Sequence, residues 1–408
     1  MGQCKNVSSH IMPINESPRI IFTRYLYVKD EVRLTLIMSI LGKRESSMFW
    51  AYELYYSGFE NELFNLLWKI YFDFYYTLNP SFYDYFIKKQ KEWSKISKST
   101  IERDKIINMI VSDLLIRPHN LDVFLLRQIS QNFEVDIQTT IFNDCQRFDF
   151  IHLSKFDDWF NSKNYQNIAE FVLNKCCENQ LDEFLEYAAS HFQELNKKSN
   201  NNNLTKDYNV KEKINKRKNT YPGEKRHIIL AHIMMQFTCI EPVKMGKKLY
   251  VIVEESEMKQ FETIYSDYDS SFYPYKILPK ACLYSIDEEN YLTLFKLKRE
   301  AIDLKTAYFN HWEYYASFSP VWRDRIKKYN GTINHEEKKI DFPDDDCFDE
   351  FYDAYNYETD EQKPETTNKS IKNIVKERTW SQFYKQHKTN GLFVPDTDFL
   401  EELNEIEY

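Results

Sequence analysis

Residues 59–78 read FENELFNLLWKIYFDFYYTL, and this stretch decides the fold class. Its polar residues Asn61, Asn65, Lys69, Asp73 and Thr77 recur every four positions, and nearly everything between them is apolar. Residues four apart share one narrow stripe of an α-helix, so the pattern predicts a helix buried on most sides. Along that stripe it should touch solvent or a polar neighbour. Asn79-Pro80 ends it, because the residue before proline resists helical geometry. We expect this segment to be the central helix of an N-terminal helical domain.

Working outward, the same type of pattern recurs. Lys29–Leu41 is amphipathic and runs into Gly42, a natural C-cap, and Ser46–Tyr56 stops at Gly58. Downstream, Ser99-x-x-Glu102 has capping-box form ahead of Ile106, Ile107, Ile110, Leu114 and Leu115, and Pro118 terminates that helix. Asn120 is placed to cap a helix carrying Val123, Phe124 and Leu126, and Ser154-x-x-Asp157 to open another. Leu181, Phe184, Leu185, Ala188 and Phe192 form the last clear apolar face. The expected fold is therefore mainly α: an N-terminal multi-helix bundle or irregular helical solenoid over 17–195, after a flexible N-terminus at 1–16. No fixed repeat period is present, which argues against an orthodox repeat family.

Residues 196–222, NKKSNNNNLTKDYNVKEKINKRKNTYP, are rich in Asn and Lys and read as an exposed linker. A smaller α-rich domain with a few short strands is expected at 223–357. There Arg226–Thr238 reads as a buried helix, Leu249–Val253 as a strand buried on both faces, Ala281–Ile286 as a weaker strand and Glu257–Tyr265 as helical. Leu294, Leu297, Ala301, Leu304, Tyr308, Trp312 and Tyr315 mark one face of a long helix, which Pro320 breaks before Val321–Tyr329 resumes. Lys339–Phe342 suits a small strand ahead of a helix from Asp346 to Tyr355. Residues 358–408 read as a flexible tail with a short amphipathic helix within Ile371–His387.

Composition narrows the function classes. The chain of 408 residues has only 7 Gly but 30 Tyr and 30 Phe, so a nucleotide fold built on a glycine loop is a poor candidate. A net charge of −9 argues against nucleic-acid binding over the whole surface, leaving room for a local basic patch. The 7 Cys form no C-x-x-C pair, which suggests reduced thiols in a cytosol-like compartment and no zinc site. No stretch approaches the ~18 apolar residues of a membrane span, and the N-terminus has no secretory core. Gly2 and Cys4 invite acylation, but the myristoylation pattern wants Ser or Thr where Asn6 stands.

Five constellations bear on chemistry. In the acidic run DFPDDDCFDEFYD, the carboxylates Asp346, Asp349, Glu350 and Asp353 have helical spacing that could hold Mg²⁺ or Mn²⁺. Helix capping by Asp344–Asp346 with a solvated face explains the run better. His227 and His232 lie five apart and face different sides of a helix, and the Cys176-Cys177 pair has Lys175 alone as basic support for an activated thiol, so buried thiols are the better reading. Basic residues in Lys88–Lys105 and 205–226, with Lys213, Lys216, Arg217, Lys218, Lys225 and Arg226, are candidate contacts to a nucleic-acid backbone. Trp312, Trp322, Arg323, Arg325, Trp380, Phe383 and Tyr384 are candidate docking residues, since Trp, Tyr and Arg dominate interface hot spots. No catalytic residue, cofactor site or metal site is assigned.

The bias toward Lys, Asn, Ile, Tyr and Phe is that of an AT-rich genome. Phe49–Tyr75 and Ser319–Gly331 (SPVWRDRIKKYNG) resemble uncharacterised proteins of large nucleocytoplasmic DNA viruses, the giant viruses. An AT-rich protist is the other source the composition fits. The resemblance implies a viral protein of the host cytoplasm, the viral factory or the virion, and carries no functional residue. The expected function is that of a non-enzymatic adaptor or scaffold that binds viral or host proteins through its helical surfaces and C-terminal tail. The alternative is a nucleic-acid-associated factor of viral replication, transcription or translation, and a third reading is a metal-dependent enzyme using the carboxylates of 341–353. The oligomeric state is not legible.

Overall fold

The computed structural model describes residues 20–98, 100–132, 148, 150–199, 224–259, 261, 272–278, 303–355, 359–372 and 379–405. Helices α1 (Lys29–Leu41) and α2 (Ser47–Tyr56) lead into α3 (Glu60–Ile70), which runs on through one π-helical turn, Tyr71–Tyr75. Along α3 the polar stripe is graded: Asn61 is exposed, Asn65 and Lys69 are half-buried, and Asp73 and Thr77 are buried. Helix geometry accounts for the gradient, since residues four apart creep about 40° around an axis of 3.6 residues per turn. The stripe therefore spirals from the surface into the core, where it needs polar partners.

Those partners come from far along the chain. Thr77 Oγ1 donates to Asn120 Oδ1 at 3.1 Å. Asp73 accepts Arg127 Nε at 2.7 Å and a second guanidinium nitrogen at 2.6 Å, and His227 Nε2 lies 2.7 Å from the same carboxylate. This buried triad joins the π turn after α3 to α6 (Asp122–Asn132) and the helix at Glu224–Ile240. Before α6 come α4 (Phe82–Lys95) and α5 (Ile101–Ile116). After it come α7 (Phe150–Asn161), α8 (Tyr165–Glu170) with its own π turn Phe171–Lys175, α9 (Leu181–Ser199) and α10 (Glu224–Ile240). A second buried carboxylate, Glu53, holds the lead-in to α1 by accepting Thr23 Oγ1 (2.6 Å), Arg24 Nε (3.0 Å) and the Tyr25 amide (3.1 Å).

The later elements are α11 (Glu255–Lys259), α12 (Pro274–Ile277), α13 (Leu304–Ala316), α14 (Pro320–Lys328), β1 (Thr332–Asn334), β2 (Lys339–Asp341), α15 (Asp345–Tyr355), α16 (Pro364–Ile371), α17 (Trp380–His387) and α18 (Thr397–Glu405). β1 and β2 form an antiparallel hairpin with Ile333 opposite Ile340. The mainly α fold with a minor strand component is as expected. One connected apolar core includes side chains from Ile20 through α10, α13 and α17 to Leu400 in α18.

Several local expectations change. Gly42 has an ordinary φ of −78°, and the left-handed step falls on Lys43 (φ 54°), whose ammonium is drawn to the end of α5. α6 starts at Asp122 rather than beside Asn120, whose side chain is taken by Thr77. Ser154 lies inside α7, which already begins at Phe150. Leu249–Val253, expected as a strand buried on both faces, forms no strand among the described residues: the Leu249 amide turns back to Lys247 O at 2.9 Å, and Leu249 and Ile252 are 59% and 82% exposed. α9 continues to Ser199, past the expected boundary at 195. α13 is capped by Asp303, which accepts the amides of Lys305 and Thr306, and it kinks at His311. Residues 1–19, Ser99, 281–286, Leu294, Leu297 and Ala301 lie outside the described residues. Of the stretch expected as a tail, α16–α18 lie on the core: Ser370 Oγ donates to Leu26 O, and Trp380 and Phe383 pack on Phe124.

Candidate docking groove beside helix α5

The end of α5 is built from charge. Lys43 Nζ donates to Leu114 O (2.9 Å) and Arg117 O (2.6 Å), with Tyr75 Oη at 3.0 Å, so a cation sits where the helix dipole is negative. Burial and the neighbouring Arg117 bring the Lys43 pKa down to about 7. One turn back, Asp113 and Arg117 form a buried i,i+4 ion pair (3.1 Å). Burial holds the Asp113 carboxyl above its usual range, against the opposing pull of Arg117 and the Val251 amide.

This pair grips the next segment. Arg117 donates to Leu249 O, and Asp113 Oδ1 accepts the Val251 amide at 3.0 Å. The Arg117 guanidinium lies over the rings of Phe82 (4.3 Å) and Tyr250 (5.3 Å), and Tyr250 stacks on Tyr85 at 4.2 Å. Upstream the Gly246 amide donates to Leu78 O at 2.8 Å, and Asn79 Oδ1 fills the space a Cβ on Gly246 would need. Downstream the fully buried Met258 anchors α11, with Tyr52 Oη 3.2 Å from its sulfur. Residues 246–258 are thus held at both ends and in the middle, and none of the three anchors is another strand.

Between α5 and this segment lies a groove of about 530 Å³. Ile116, Met245 and Leu249 supply apolar lining, while Arg117, Lys244 and Lys247 supply charge. Lys244, Lys247 and Lys248 are exposed and make no ion pair with a described residue. No hydrogen bond among the described residues uses the backbone N–H or C=O of Tyr250 or Ile252. Neither the lysine cluster nor the unpaired edge was read as a site from the sequence. The available signal was a strand-forming run, LYVIV, directly after KMGKK.

The residues singled out from sequence are placed otherwise. Trp312 and Trp322 pack edge to face at 5.1 Å and are buried, with Phe351 and Tyr355 around them. Arg325 stacks over Trp322 at 4.3 Å, while Arg323 is exposed. Trp380 and Phe383 are buried against Phe124, and Tyr384 beside them is half-buried. The structure thus brings these aromatics together in the protein's own core. Lys225 pairs with Glu178 and Asp182, and Arg226 with Glu178 and Val172 O. Lys213, Lys216, Arg217 and Lys218 lie outside the described residues. In Lys88–Lys105, Trp93 is buried under the Arg103 guanidinium (4.0 Å), and Arg103 is paired bidentately with Glu60.

Asp344 caps α15 by accepting the Cys347 amide at 2.8 Å, and Asp341 engages Asn334 and Lys339. Among the described residues no group of three or more His, Cys, Asp or Glu is arranged to hold a metal ion. Burial pushes the Cys176 thiol up to about 12. His227 and His232 point to different partners, Asp73 and Tyr76. Among the described residues no helix is long and apolar enough to cross a membrane. The chain matches no protein-family model, no curated protein and no solved structure.

Proposed function

We propose that this chain is a non-enzymatic docking protein, an adaptor or scaffold that holds other proteins, and that it works in the cytoplasm, the viral factory or the virion of a giant-virus infection. The carrying observation is the segment 248–253. It is anchored, its apolar run Leu249–Val253 leaves Leu249 and Ile252 exposed, and among the described residues the backbone groups of Tyr250 and Ile252 meet no partner. Apolar side chains beside an open strand edge serve as a template for another chain. The viral setting rests on the resemblance at Phe49–Tyr75 and Ser319–Gly331 alone.

Affinity purification of the tagged full-length protein from its native cells, split into nuclease-treated and untreated halves, tests this reading. Partner proteins that persist after nuclease support it. Partners that vanish with the nucleic acid overturn it in favour of a nucleic-acid-associated factor.

A further inference from the structure

We infer that residues 248–253 are an edge strand that pairs with an extended segment of a partner protein, one whose carboxylates gather at the end beside Lys247 and Lys248. The inference rests on the docking reading and names its site and the chemistry of its occupant. Successive residues of an extended chain turn their N–H and C=O to opposite sides. Leu249 O and Val251 N are spent on Arg117 and Asp113 of α5. Two alternate residues turned to α5 are what an extended run would give, so the edge assigned to docking is the opposite one, carrying the N–H and C=O of Tyr250 and Ile252, which no described residue meets.

Three further features favour strand addition. Anchoring at Gly246, at Asp113 with Arg117, and at Met258 fixes the segment in advance, so pairing costs little ordering entropy on this side. Ile252 is 82% exposed, although β-branched apolar residues are ordinarily covered on a sheet face. Lysines often protect a sheet edge from stray pairing, but here all three precede the apolar run and leave 249–253 uncharged. The charge is also polar along the strand, with Lys244, Lys247 and Lys248 before it and Glu254, Glu255 and Glu257 after it. Charge complementarity then selects a strand acidic at one end only. A nucleic acid, negative along its whole length, would meet the glutamates.

The probe is the fluorescein-labelled peptide Asp-Asp-Glu-Val-Thr-Val-Thr-Ile, together with its reversed sequence, titrated with the full chain and read by fluorescence anisotropy. One of the two is expected to bind, with affinity falling at least tenfold when alternate amides of the peptide are N-methylated. Ile252→Pro removes one outward N–H while sparing the Val251 amide; it should weaken binding at least tenfold with little change in Tm. Lys247→Glu with Lys248→Glu should weaken it similarly and flatten its salt dependence. Hydrogen exchange in the free protein should be fast at the Tyr250 and Ile252 amides.

Slow exchange there would mean that the edge is already occupied within the chain, which overturns the inference. So would N-methylated peptide or Ile252→Pro protein binding as well as the parent, or twenty-residue oligothymidylate binding where both peptides fail. In the purification experiment, Ile252→Pro protein that retains every nuclease-resistant partner of the wild type sinks this site and leaves the docking function standing. Wild type that captures no protein sinks the function itself.

Discussion

At the scale of single residues, the buried ionic triad is where the sequence conceals most. Asp73 and Arg127 are fully buried, so removing one partner strands the other's charge. Asp73→Ala is expected to cost about 3–5 kcal/mol in urea unfolding. Asp73→Leu combined with Arg127→Met should recover much of that loss, because a well-packed apolar pair replaces a buried ion pair with little penalty. Burial, outweighing the pull of Asp73, holds His227 below its ordinary value, and burial with Lys43 and His387 nearby brings His119 down to about 3. Burial alone would raise the Asp73 carboxyl, but Arg127 and His227 hold it below the usual range. For all three groups the unfolded chain takes up protons before the native one does, so each contribution is present at neutral pH and lost on acidification.

Asp122 has the opposite sign. Burial raises it to about 6, so the native state gains a proton first and recovers some stability between pH 6 and 4. Burial raises the Asp104, Asp113 and Glu313 carboxyls as well, and they share the sign of Asp122, so the contribution of His119 is read by difference. From pH 7 to pH 5 the urea midpoint of the wild type should lose ground relative to that of His119→Gln; parallel profiles would remove His119 from the account.

At the scale of elements, the joints are set by steric fit. Gly58 has φ 91°, and a Cβ there would lie 2.5 Å from Pro320 Cβ, the first residue of α14. A Cβ on Gly246 would lie 1.8 Å from Asn79 Oδ1. Gly58→Ala and Gly246→Ala are each expected to destabilise by about 1–3 kcal/mol, read as a drop in Tm. Gly246→Ala should in addition speed proteolysis within 244–254, since that glycine seats the docking segment. Asp122, at the start of α6, accepts the Leu392 (2.9 Å) and Phe393 (3.2 Å) amides and so ties down the loop between α17 and α18. Asp122→Ala should open that loop to limited proteolysis, whereas Asp122→Asn keeps an acceptor and should protect it.

At the scale of the whole molecule, the C-terminal helices close the core. Phe124 on α6 is covered by Trp380 and Phe383, so truncation after Ile371 should expose it, lower the Tm and raise the binding of a hydrophobic dye. A truncated chain with unchanged Tm would show that this cover is dispensable. The helical elements were legible because burial leaves a period in the sequence: α1, α2, α10 and α15 lie within two residues of their expected bounds. Partners were not legible, because Asp73 finds Arg127 54 positions away and His227 154 positions away, and no local pattern encodes such distances. The same holds for Trp312, Trp322 and Trp380, whose composition suits an interface as well as a core. Local pattern in the chain was enough to mark which stretches are helical and which faces are apolar, but it read LYVIV as a strand buried on both faces. It took the tertiary structure to show that the polar stripe of α3 ends in a buried triad, and that LYVIV lies at the surface with no strand beside it among the described residues. Periodicity reports the local environment of a helix or strand, whereas pairing and exposure depend on what distant segments place next to it.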